Sequence, residues 1–226
     1  VQYVKKPLAH GYKELTILPL ESGEFQIEPN ALHIWPRGNH MLIALPNNDC
    51  SFTCTLFFPM TGKTSFETVK TEKEILDLFQ SQFPDAIKLI PNLVEGFQNN
   101  PIGDLASVYC KPWHWGDKAL LIGDAAHAVV PFFGQGMNAS FQDCSTLAKL
   151  MGQNENDWKT IFNAFSSTQV ENGHAIADMA LENYLEMRDH VNDPEYKKRR
   201  NMELKLEQMF PGQFIPRYSM VSFHQI

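Results

Sequence analysis

Lys118-Ala119-Leu120-Leu121-Ile122-Gly123-Asp124-Ala125-Ala126-His127-Ala128-Val129-Val130-Pro131-Phe132-Phe133-Gly134-Gln135-Gly136-Met137-Asn138 is the stretch on which the reading of this chain turns. The apolar run Lys118–Ile122 predicts a short buried strand that stops at Gly123-Asp124. A loop then runs from Ala125 to Gly134, and a helix is expected to begin at Gly136. Met137, Phe141, Cys144, Ala148 and Met151 follow a four-three-four-three rhythm, which predicts one continuous apolar stripe on that helix. The loop combines three devices. Asp124, just past a strand end, can accept hydrogen bonds from sugar-like hydroxyls. Gly134 and Gly136 let the backbone approach a flat ligand. The helix start aims free N–H groups and a positive dipole end at whatever fills the loop, worth ~0.3–2 kcal/mol toward a ring that takes up negative charge.

Upstream, Tyr12–Leu18, Ala31–Trp35, His40–Leu45 and Ser51–Phe58 read as strands separated by Pro, Gly and Asn clusters. Their short connections predict an antiparallel sheet, because parallel neighbours need crossovers of about a dozen residues or more. Phe66, Val69, Leu76, Phe79 and Phe83 switch to a helical period, so a helix is expected over 65–83 with Ser65 as its cap and Pro84 as its stop. The segment 86–103 is irregular with room for a short helix, and Asp104–Cys110 reads as a further strand. Downstream, helices are expected over Trp158–Arg188 and Pro194–Met209, the latter ended by Pro211-Gly212. The fold class is therefore α/β in the α+β sense: an antiparallel sheet, a strand–loop–helix unit and a helical C-terminal region. The expected domains are 1–103, 104–152 and 153–226.

The chain has 226 residues, 43% hydrophobic and 20% charged, which suits one large or two small globular domains. Its formal net charge of −7 repels phosphate backbones and argues against a nucleic-acid partner. The sequence shows neither a signal peptide nor an apolar run of membrane-spanning length. Cys50 and Cys54, in a strand-like run, would stand roughly 13 Å apart, beyond the ~7 Å that a disulfide bridges. All four cysteines are expected as free thiols. The eight histidines show no metal-binding spacing, so no metal is expected. His127 is read as a residue that holds the loop's shape, and Trp113-His114-Trp115 as a partly exposed hairpin edge.

The string Gly123-Asp124-Ala125-Ala126-His127, with Pro131 and Gly134-Gln135-Gly136-Met137-Asn138, resembles the second flavin-binding motif of the aromatic-ring flavoprotein hydroxylases. Within that family, His33-Ile34-Trp35-Pro36-Arg37, Ser51–Leu56, Asn183-Tyr184 with Glu186-Met187-Arg188, and Phe214-Ile215-Pro216 with Tyr218 resemble the branch acting on L-kynurenine. The resemblance covers nearly the whole chain and corresponds to the middle and later part of such enzymes. It implies FAD as cofactor, NADPH as co-substrate and O₂ as the oxygen source. The implied reaction places a hydroxyl ortho to the aromatic amine of kynurenine, and no acid–base pair is nominated because the cofactor carries the difficult chemistry. Asp124 would hold the ribityl chain. Pro131, Gly134, Gln135, Gly136, Met137 and Asn138 would surround the flavin ring, while Phe132, Phe133, Asn183 and Tyr218 would meet the substrate.

The chain departs from the family in three respects. It contains no Gly-x-Gly-x-x-Gly to cradle the ADP half of FAD. Ser140 stands where glycine is usual, and Gln142 where an acid is common. A fragment of a longer chain is the resulting expectation, inactive by itself. By resemblance, the full-length protein would sit on the cytosolic face of the mitochondrial outer membrane, with contact through its C-terminal region. Two other readings stay open: another flavoprotein aromatic hydroxylase, or a non-catalytic fragment that acts as a binding module.

Overall fold

The computed structural model describes residues 1–155, 157–188 and 193–223, and the chain divides into two compact units. Pro7–Ala106 form one unit; Val1–Lys6 with Ser107–Ile226 form the other.

The first unit is built on the greater part of a five-stranded antiparallel sheet of order β2-β3-β4-β1-β5. The strands are β1 (Gln2–Ile17), β2 (His33–Pro36), β3 (Met41–Pro46), β4 (Phe52–Pro59) and β5 (Gly103–Lys111). β1 is longer than its hydrophobic run suggested, starting at Gln2. Leu15 pairs with Cys54 and Ala44 pairs with Cys54 from the other side, which centres β4 in the sheet. Phe52, Cys54, Leu56 and Phe58 alternate along β4 and are all fully buried. Against them pack Ile75 and Phe79 of helix α1 (Glu72–Gln82) and Leu93 and Phe97 of helix α2 (Leu93–Asn99).

The expected helix at 65–83 starts seven residues late, and the reason is local. Thr71 and Glu74 form a capping box, with Thr71 Oγ1 accepting from the Glu74 N–H at 3.3 Å and the Glu74 carboxylate accepting from the Thr71 N–H at 2.9 Å. Ser65 instead closes a turn, donating to the Gly62 carbonyl at 2.8 Å. Phe66 and Val69 are buried in the same core from that turn, which is why they mimicked a helical period. Between α1 and α2 lies a single 3₁₀ turn, Ile87–Leu89. Buried Lys13 donates to the carbonyls of Phe97 and Asn100, at 2.6 and 2.7 Å, and so caps the C-terminus of α2.

In the second unit a short hairpin, β6 (His114–Trp115) with β7 (Ala119–Leu120), precedes the helices. These are α3 (Asp124–His127), α4 (Gly136–Gln153), α5 (Trp158–Arg188), α6 (Pro194–Met209) and α7 (Arg217–Phe223). The expected buried strand at Lys118–Ile122 shrinks to the two residues of β7, and Ile122 is exposed. The aromatic hairpin splits its roles: Trp115 is exposed, whereas Trp113 is fully buried among Cys110, Ala126, Phe165 and Val170.

Helix α4 begins at Gly136, as its sequence predicts, but its expected inward stripe faces outward. Met137 is 69% exposed and Phe141 62%, and Cys144, Ala148 and Met151 are exposed as well. Asp143 is buried instead, and Leu147 and Leu150 pack on the unit's core. The buried face lies one residue, about 100°, round the helix from the one chosen by hydropathy. All four cysteines are free.

Candidate functional site

Gly123 has φ 57° and ψ −143°, a backbone state open to glycine, and it delivers Asp124 to the first position of α3 with its side chain exposed. A Cβ on Gly123 would come within 3.1 Å of Ser140 Oγ. Ser140, the departure from the family pattern, turns its hydroxyl back onto the Gly136 carbonyl at 3.0 Å. Pro131–Phe133 form a 3₁₀ turn that ends on Gly134, which is left-handed at φ 68°. Space beyond Gly134 is open, since a Cβ there would meet nothing within 4 Å.

Ala139 is the first α4 residue whose N–H closes onto Gln135, and no side chain caps the helix. The amides of Gly136, Met137 and Asn138 therefore face outward from the helix end. Pro131, Met137 and Asn138 are exposed around it, and the Asn138 Nδ2 donates to Gln135 Oε1 at 2.8 Å. Gln135 and Asn138 also border a cavity of about 740 Å³ between α4, α5 and α7, together with Gln142, Gln169 and Asn172.

A second cavity, about 280 Å³, brings together Phe133, Asn183 and Tyr218, three of the four residues assigned to substrate. The Phe133 and Tyr218 rings lie 5.2 Å apart. Asn183 Nδ2 donates to the Phe132 carbonyl at 2.6 Å, tying α5 to the 3₁₀ turn. Phe132 is not in the cavity wall; it is buried against Tyr184, with ring centroids 4.2 Å apart. The wall also carries residues to which the sequence assigned no site role. Tyr196 donates to Glu186, and Arg200 pairs with Glu203 at 3.2 Å. Burial, and then the Glu186 carboxylate, push the Tyr196 phenol up to about 12. These groups come from α5 and α6, and only folding reveals that they share a wall.

His127 is 1% exposed and holds the loop, as its reading proposed. Its partner is Asp143, whose Oδ2 lies 2.6 Å from His127 Nε2 and 2.9 Å from the Gly123 nitrogen. A carboxylate only accepts, so both nitrogens donate to it. Asp143 is the main residue that sequence reading missed, because hydropathy counted it on the polar side of α4. Among the described residues, no three His, Cys, Asp or Glu side chains group to hold a metal ion.

An exposed carboxylate after a glycine turn, a left-handed glycine and an uncapped helix end, all in one unit, suit a flat dinucleotide cofactor. The description "FAD binding domain" matches residues 28–161, more than half of the chain, and the chain belongs to that family. Its curated relatives are more specific. Kynurenine 3-monooxygenase of Myxococcus xanthus is 51% identical over 222 residues, covering 98% of this chain and 48% of the relative. The Stenotrophomonas maltophilia enzyme of the same name is 49% identical, covering 96% and 47%. The chain thus spans about half the length of the curated relatives it matches.

Among solved structures, the tetrameric form of 2-methyl-3-hydroxypyridine-5-carboxylic acid oxygenase aligns with TM-score 0.63 at 14% identity, over 97% of this chain and 53% of the other. Klebsiella pneumoniae HpxO complexed with FAD and uric acid aligns at 0.63 and 13%, over 92% and 52%. These two show the shared fold. The named relatives are bacterial, so the mitochondrial outer-membrane expectation finds no support in them. No helix among the described residues is long and apolar enough to cross a membrane.

Proposed function

We propose that the full-length protein is an FAD-dependent monooxygenase that hydroxylates L-kynurenine to 3-hydroxykynurenine, with NADPH and O₂ as co-substrates. One observation carries the reading. The residues that resemblance assigns to cofactor and to substrate fall in one compact unit, around an uncapped helix end and a cavity of about 280 Å³. The relatives' shared name supplies the substrate.

The residues fit the cofactor. The α4 amides and dipole would stabilise negative charge on a flavin ring. Open space at Gly134 would let a flat ring approach the backbone, and exposed Asp124 would accept from the ribityl hydroxyls. FAD, when bound, would supply the redox chemistry that activates O₂. The chain's own residues bind and orient the substrate. Phe133 and Tyr218 offer aromatic faces to the aminophenyl ring. Asn183 has its amide nitrogen committed to Phe132, so it meets the substrate through Oδ1, as an acceptor for the α-ammonium. Tyr196, held on Glu186, keeps its proton near neutral pH and adds no phenolate charge to the wall. The aromatic wall displaces water from the ring carbon that receives oxygen.

The test is product formation by the full-length protein loaded with FAD. NADPH- and O₂-dependent 3-hydroxykynurenine is expected, and its absence from a yellow holoprotein would refute the substrate assignment. Asn183→Ala should raise the kynurenine KM about tenfold or more, through one lost charge-assisted hydrogen bond. An unchanged KM would point to a different aromatic substrate for the same flavin fold. Membrane contact by the C-terminal stretch is also proposed, through exposed Met209 and Phe223 and the Lys197–Lys198 pair. Sedimentation with anionic vesicles tests it, and a full-length protein left wholly in the supernatant would rule it out.

A further inference from the structure

Asp124 follows a glycine that its own turn holds only in part. Gly123 sits at φ 57°; its carbonyl accepts from the Ala126 and His127 amides at 2.9 and 3.0 Å, which closes the turn, while its own N–H needs an acceptor from outside. One side chain supplies it. Asp143 is 3% exposed, and its Oδ2 accepts from both the Gly123 N–H and His127 Nε2, at 2.9 and 2.6 Å. A buried carboxylate with two short donors is a strong, directional anchor.

The other end of that anchor is equally fixed. The His127 ring stacks on Trp113, with centroids 4.9 Å apart and planes 25° from parallel. Trp113 donates two bonds of 2.9 Å, one from its Nε1 to the Cys110 carbonyl and one from its backbone N–H to Ser166 Oγ. Helix α5 offers Gly173 at this point, where a Cβ would lie 2.7 Å from Trp113 and 3.1 Å from His127. The imidazole therefore has one place to stand.

Asp143 also belongs to α4, seven residues after Gly136 and so roughly 10 Å along the helix from its uncapped end. The helix that presents amides to a flavin ring thus carries the acceptor that places the ribityl-binding carboxylate. We propose that Asp143, braced by His127, is a positioning residue that sets Asp124 relative to the amino end of α4, and hence the spacing between the two FAD contacts. The inference rests on the cofactor reading above.

The test uses the full-length protein and measures FAD affinity by quenching of flavin fluorescence, with circular dichroism as the folding control. Asp143→Asn keeps the shape and can still set one oxygen against both donors, but it removes the charge that strengthens both bonds. It should weaken FAD about tenfold to a hundredfold, the size expected for a hydrogen bond to a charged group. Because Asp143 acts through Asp124, the Asp124→Asn/Asp143→Asn double variant should bind no more than about threefold weaker than Asp124→Asn alone. His127→Gln, whose amide can still donate to Asp143, should stay within about threefold of wild type, while His127→Leu should match Asp143→Asn.

Normal FAD affinity in Asp143→Asn beside a weakened Asp124→Asn would overturn the positioning role and spare the cofactor reading. Fully additive losses in the double variant would also overturn it. If Asp124→Asn itself binds FAD normally, the cofactor reading of that carboxylate fails instead. Should Asp143→Asn not fold, the His127 pair decides, and equal losses in Gln and Leu would end the proposal.

Discussion

His40 is a buried imidazole that folding keeps neutral. It is 7% exposed, stands edge-on to Phe58 and Phe83, and leaves Nε2 without a hydrogen-bond partner among the described residues. Burial first, then the charges of Arg37 and His10, lower its pKa from 6.5 to about 4. Between those values the unfolded chain takes up a proton that the folded chain refuses. The unfolded state binds more protons there, so stability rises with pH through the window and falls as the pH drops from 6.5 towards 4. A full shift of that size corresponds to about 3 kcal/mol, of which about 2 kcal/mol is already lost at pH 5. The perturbation is His40→Gln, which removes the titrating group. Urea unfolding followed by circular dichroism, at pH 7.5 and pH 5.0, gives the loss for each protein. Wild type should lose about 2 kcal/mol more than His40→Gln over this interval. Equal losses in the two proteins would refute the account of His40 as a buried neutral base.

Three further outcomes follow from the packing. Gly173→Ala should destabilise the 107–226 unit by about 1–3 kcal/mol, because the new Cβ presses on a buried indole at 2.7 Å; an unchanged melting temperature and near-ultraviolet dichroism would contradict this. Thr71→Ala should cost about 1 kcal/mol by breaking the capping box of α1, read as a lower urea midpoint at constant slope, and a midpoint equal to wild type would count against it. The 226-residue chain by itself should hold FAD weakly, since it lacks the Gly-x-Gly-x-x-Gly cradle and leaves Met137 and Phe141 bare on α4; a tight, stoichiometric yellow complex on titration would overturn that expectation.

Elements whose cause is local were legible in the chain. Asp193 and Pro194 start α6, Gly136 starts α4, and the alternation through Phe52–Phe58 makes a strand wherever it is placed. The flavin-loop string was legible in part for a similar reason: its left-handed Gly134 and its helix start at Gly136 are set by neighbours in sequence, whereas the anchor of the Gly123 turn on Asp143 is not. Helix α1 was misread in its first turns because Phe66 and Val69 obey a helical spacing by accident of burial, while the true start depends on the Thr71–Glu74 pair.

Which face of α4 turns inward was decided by tertiary structure alone. Hydropathy favoured Met137, Phe141 and Cys144, but the inward face carries Asp143, which accepts from the Gly123 N–H and His127 Nε2, with Leu147 and Leu150 packed beside it. The cavity around Asn183 and Tyr218 is of the same kind, since its walls come from segments that are dozens of residues apart. Short-range order thus came from propensity, capping and glycine. Long-range partners came from pairing buried polar groups, a constraint satisfied in space that leaves no periodic mark along the chain.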